Sequence, residues 1–94
     1  MTSQNRKDLY TISDYYGNKA QCVVAIEEMS ELTKILCKYQ RDKQISFNDL
    51  VEEVTDVLIM IEQIKIMFGI RHSYIQSIID NKIERQLKRM SEDK

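Results

Sequence analysis

Four carboxylates occupy positions that a helix ordinarily gives to its core. In "AIEEMSEL", residues 25–32, Glu28 and Glu31 share a stripe with Val24, Ala25, Leu32 and Ile35; in "LVEEVTDVLIMI", residues 50–61, Glu53 and Asp56 repeat the arrangement. At 100° per residue, with Glu28 as zero, Val24 lies at about −40°, Ile35 at about −20°, Leu32 at about +40° and Glu31 at about −60°. Glu27, at about −100°, reaches only the edge of that stripe. With Glu53 as zero, Leu50, Val57, Met60 and Ile64 fall between about −20° and +60°, so Glu53 is central to the apolar face and Asp56 stands at its margin.

Acids gathered this way cannot all remain ionised unaided, because desolvation and like charge both oppose it. Either they protonate or turn to solvent, or a hard cation sits among them. A set of carboxylate oxygens with no His on either segment suits Mg²⁺ or Mn²⁺, whereas di-iron bundles need a Glu-x-x-His pairing that is absent. Mg²⁺ is the better match, since it keeps coordination positions for water and phosphate oxygens and so points to a nucleotide polyphosphate. One pair of Glu at this spacing is ordinarily a solvated charge pattern. Two pairs on apolar faces, equally far before and after Asp42, are not accounted for in that way.

Such positions require two long helices that meet. The apolar residues Val24, Ala25, Met29, Leu32, Ile35, Leu36 and Tyr39 recur at steps of three and four, which predicts a helix from about residue 19 to 39. After the polar joint "QRDKQI", Ser46 with Asp49 three residues on reads as the start of a helix that runs to about Phe68 and stops at Gly69. An antiparallel hairpin turning near Asp42 brings the two acid pairs to one level, and helices packed about 8–10 Å apart can direct them into one space. A weaker pattern (Leu9, Ile12, Tyr15, Tyr16) predicts a first helix over roughly 5–16, broken at "YGN". Ser73 and Gln76 suggest the start of a fourth helix, carried by Ile75, Ile78, Ile79, Ile83 and Leu87 toward Met90.

Composition agrees with an all-α fold: 43% hydrophobic and 31% charged residues with no Pro and two Gly offer little to punctuate strands. Ninety-four residues make one domain, 1–94, near the size at which a second copy commonly supplies extra buried surface. A net charge of −1 provides no basic field for nucleic acid or anionic lipid, and "KIERQLKR" is too small a basic segment to change that. No apolar run approaches the ~20 residues that span a bilayer, and "MTSQNRKDLY" lacks the apolar segment of a signal peptide, so a cytoplasmic location without membrane contact is expected. Cys22 and Cys37 lie about 22 Å apart along one helix and cannot pair within it. They read as small buried hydrophobes, and with the single His72 they make a poor zinc site.

The two acid motifs, "EEMSEL" and "EEVTDVLIMIEQ", resemble the E-x-x-E and E-x-x-D pairs of the MazG-like all-α nucleoside triphosphate pyrophosphohydrolases, over about residues 21–89. That resemblance implies a four-helix MazG-like bundle around a central antiparallel hairpin, completed by dimerisation into a homodimer or homotetramer. It implies cleavage of an NTP or dNTP between the α and β phosphates to a monophosphate and pyrophosphate, with Glu28, Glu31, Glu53 and Asp56 as magnesium ligands. "NKIERQLKR" looks like the family's basic segment, which would make Lys82 and Arg85 contacts to substrate phosphates; a solvated basic helix end reads equally well. Asn81 is a further candidate for nucleotide contact, as is Gln21, which lies on the Glu28 face nearly two turns earlier and reads equally well as a buried polar contact.

Metal-assisted hydrolysis needs a carboxylate near the attacking water as proton acceptor. Glu27, Glu28 and Glu31 are all candidates. The alternative from another class is a small dimeric helical protein-interaction module without catalysis, since Ile59 and Ile66 face away from Glu53 and make the third helix apolar on two sides.

Overall fold

The computed structural model describes residues 1–93, and every regular element among them is a helix. Helix α1 spans Ser3–Tyr16, α2 Asn18–Gln40, α3 Phe47–Phe68 and α4 His72–Glu92. Helix α1 begins two residues earlier than its periodicity suggests because Thr2 and Asn5 cap it reciprocally. The Asn5 N–H donates to Thr2 Oγ1 at 3.0 Å and the Thr2 N–H to Asn5 Oδ1 at 3.1 Å. Gly17 alone separates α1 from α2; its φ of 85° lies where a side chain would be strained, so the corner demands glycine.

Both later joints are Schellman closures. At the end of α3, the Gly69 N–H reaches Ile66 O and the Ile70 N–H reaches Lys65 O, with Gly69 left-handed at φ 63°. At the end of α2 the same pair of bonds runs from Asp42 to Tyr39 O and from Lys43 to Lys38 O, and Asp42 takes φ 60°. Ser46 caps α3 as its type suggests, accepting from the Asp49 N–H at 3.3 Å. The start of α4 departs from expectation. Arg71, not Ser73, is its N-cap residue, without a side-chain cap, because only Ile70 and Arg71 separate the Gly69 closure from the first helical turn. Gln76 instead bonds Asp80 Oδ1 within the helix at 2.9 Å.

Helices α2 and α3 form the antiparallel hairpin, and α1 lies across both. The residues buried between them are Leu9, Ala25 and Met60 together with Ser13, Gln21 and Gln63, so half of this centre is polar. Of the apolar positions expected on α2, Ala25 is buried and Leu32 and Ile35 are half-buried, while Val24, Met29, Leu36 and Tyr39 are exposed. Their stripe is wider than the surface α3 and α1 can cover. Cys22 is half-buried but Cys37 is exposed, contrary to a buried hydrophobe.

Helix α4 scarcely touches the other three and buries none of its residues, so a four-helix bundle is not formed within one chain. Its apolar positions Ile78, Ile79, Ile83, Leu87 and Met90 are exposed. The radius of gyration is 16.5 Å, against about 12.4 Å for a compact chain of this length. Accessible surface is 7866 Å², roughly 2,200 Å² above that of a compact 11.2 kDa monomer. No helix among the described residues is long and apolar enough to cross a membrane.

Candidate metal centre

Residues Gln21, Ala25, Glu28, Leu32 and Ile35 on α2 and Asp49, Glu53, Asp56, Met60 and Gln63 on α3 recur at alternating steps of four and three, the spacing that keeps one seam facing a partner helix. The hairpin turn at Asp42 sets Glu28 level with Asp56 and Gln21 level with Gln63. Oxygen atoms of Glu28, Glu53 and Asp56 lie within 4.8 Å of one another, and all three residues are half-buried. Asp56, at the margin of the apolar face on the helical wheel, thus stands within the same distance of the other two acids as they do of each other, on the side of α3 that α2 approaches.

Glu31 is placed differently from its three partners. It is exposed and pairs with Lys34 at 3.3 Å, one turn closer to the hairpin bend. Glu27 is exposed as well. At −60° and −100° respectively these side chains fall outside the narrow seam that α3 covers. Glu31 is still near enough for its charge to act on Glu53.

The electrostatics of the cluster are unfavourable to three free carboxylates. Burial pushes the Glu28 pKa above its usual 4.5, and the charge of Asp56, a hydrogen bond with it, and the charges of Glu53 and Glu27 push it further. Burial likewise raises Glu53, followed by the charges of Asp56, Glu31, Glu52 and Asp49. Glu53 Oε2 is buried and accepts no hydrogen bond from any described residue. A buried carboxylate oxygen without a donor, in a set of hard oxygen ligands, suits a hard divalent cation.

Next to the cluster, toward the bend, runs a cleft of about 510 Å³ lined by Asp49, Glu52 and Glu53 from α3 and by Glu31, Lys34, Lys38 and Arg41 from α2 and its end. These three cations were not singled out by sequence. Their signal was available, since positions 34, 38 and 41 share one helix face by the same steps of four and three. Asn81, Lys82 and Arg85 are exposed on α4, away from the cluster of their own chain. Gln21 is 5% exposed and Gln63 1%; Ser13 donates to Gln63 Oε1, making a buried polar layer seven residues from the acid layer. Gln63 and Ser13 also escaped the sequence reading, although Gln63 stands seven residues beyond Asp56.

Compared with known proteins, the chain matches no family model, no curated protein and no solved structure.

Proposed function

We propose that the protein is a Mg²⁺-dependent nucleoside triphosphate pyrophosphohydrolase of the MazG-like kind. The observation that carries this reading is the unpartnered, buried Glu53 Oε2, set beside Asp56 of its own helix and Glu28 from across the hairpin. Glu28, Glu53 and Asp56 would hold the ion, with Glu31 joining them by releasing Lys34. A bound divalent ion there supplies charge neutralisation at phosphate oxygens and a water of lowered pKa.

The chain's own groups supply the rest. In the adjoining cleft Lys34, Lys38 and Arg41 offer donors to a polyphosphate whose α phosphorus would lie toward the cluster. Water attacks that phosphorus and pyrophosphate leaves; a carboxylate beside the water accepts its proton. Glu27 and Glu31 suit that role, being next to the cluster but outside its buried seam. Lys82, Arg85 and Asn81 could reach a site only from another copy of the chain, since α4 stands apart from its own hairpin.

Self-association belongs to this reading. The excess surface, roughly 2,200 Å² per chain, and the bare apolar side of α4 are of the extent that a large obligate interface covers, about 2,000–5,000 Å² over both partners. A homodimer or homotetramer would complete the bundle. The same observation favours a second reading, an interaction module without catalysis.

Turnover separates the two. The purified protein, incubated with ribo- and deoxynucleoside triphosphates with and without Mg²⁺ and resolved by chromatography, should yield a monophosphate and pyrophosphate only with the ion. A diphosphate with orthophosphate would place cleavage at another bond, and no turnover would leave the interaction module. Light scattering should give at least a dimer mass at micromolar protein. A monomer mass would end the completed-bundle proposal.

A further inference from the structure

At the opposite end of the hairpin from Asp42, α1 and the α3–α4 corner enclose a second pocket of about 430 Å³. Arg6, Lys65, Arg71 and His72 line it, with Tyr10 and Ile70 among its apolar residues. Lys65 is the unusual member. Its side chain is only 11% exposed, and its ammonium group bonds Glu62 Oε1 at 2.9 Å and lies 3.5 Å from His72 Nδ1. Those two neighbours use two of its three N–H donors, so the third remains for another acceptor.

The charge is equally unbalanced. Arg6, Lys65 and Arg71 are set against one carboxylate, Glu62, which is already engaged with Lys65. Helix α4, twenty-one residues long, starts beside this pocket at His72 with no side-chain cap and no acidic residue in its first turn, so its positive dipole end adds to the field there. Every one of these features favours an anion, and the apolar wall favours one with an organic body.

We propose that this corner binds the phosphoryl group of a small organic phosphate, with Arg6, Lys65, Arg71 and the α4 amides holding the oxygens and Tyr10 and Ile70 packing the organic part. Arg6 and Arg71 reach in from α1 and from the α3–α4 joint, so that a bound phosphate would tie α1 to the base of α4. The site is independent of the acid cluster and of any activity there.

The test uses the full chain labelled with ¹⁵N, without divalent cations, at about 0.1 M sodium chloride, where surface fields are screened beyond roughly 10 Å. Orthophosphate and phenyl phosphate are titrated separately and amide shifts are followed. Saturable shifts at Arg71, His72 and Ser73 are expected, with phenyl phosphate the tighter ligand. Arg6→Ala and Arg71→Ala should each weaken binding about tenfold, the loss expected for one charge-assisted hydrogen bond. Lys88→Ala, an exposed cation of α4 outside the pocket, should change nothing. Shifts that fail to saturate, that fall elsewhere on the chain, or that survive both arginine substitutions would overturn the proposal. Equal affinity for the two ligands would remove Tyr10 and Ile70 from it.

Discussion

The hairpin seam carries two polar layers seven residues apart, and they differ in kind. In the first, Gln21 and Gln63 are almost fully buried, and Gln63 accepts a hydrogen bond from Ser13 of α1. The groups are neutral and the partner comes from the same chain, so the layer fixes how α1 sits on the hairpin. In the second, Glu28, Glu53 and Asp56 are ionisable, less buried, and short of donors. A layer that satisfies itself is part of the fold. A layer that the fold leaves unsatisfied is an opening for something else, at the expense of metal-free stability.

The sharpest way to break this distinction is Glu53→Gln. Loss of turnover should exceed about 100-fold, since even outer partners of a metal site cost 10–100-fold, while the metal-free fold should melt higher as repulsion is removed. Asp14→Asn, an exposed carboxylate of α1 outside both the cluster and the cleft, should do little to either. Equal activity in wild type and both variants would show that the acid layer holds no catalytic ion.

The amide layer should respond in the opposite sense. Gln63→Leu leaves the Ser13 hydroxyl without its acceptor, and urea denaturation should show a loss of about 1–3 kcal/mol, whether or not Mg²⁺ is present. Adding Ser13→Ala should recover much of that loss. Full stability in the single variant would mean that the layer does not anchor α1.

Titration offers a subtler contrast. Glu28 and Glu53 have folded-state pKa values raised above 4.5, so between that value and the raised ones the folded state binds more protons than the unfolded state. Their contribution is fully present below the unfolded value and is lost as pH rises through the folded values. Melting of the metal-free protein should fall over that interval, and less steeply in Glu53→Gln. Identical slopes would show that the acids exert no strain on the fold.

The smallest effect is reserved for the bend that aligns both layers. Asp42 holds a left-handed conformation at φ 60°, as Gly69 does at the matching place after α3. Asp42→Gly should stabilise the chain by about 0.5–1 kcal/mol, equally with and without Mg²⁺, by thermal unfolding. A gain confined to the metal-bound form would mean that the bend and the acid layer are coupled.

Much of this was legible in the residues themselves. Helical period, the Ser46 cap and the Gly69 stop delimit α3 without reference to any neighbour, because those signals act within a few residues. The angular position of Glu53 on the core stripe is local in the same sense, and so is the bend near Asp42 that brings the two acid pairs to one level. Which acids meet is not local: Glu31 and Asp56 look alike on a helical wheel, and only the direction from which α2 approaches α3 turns one to Lys34 and the other to Glu28. Likewise the apolar residues of α4 repeat like a buried face, yet the corner at Gly69 carries them away from the hairpin. Period and caps depend on the chain's own backbone, whereas burial depends on what another segment brings, and that is decided only when the helices pack.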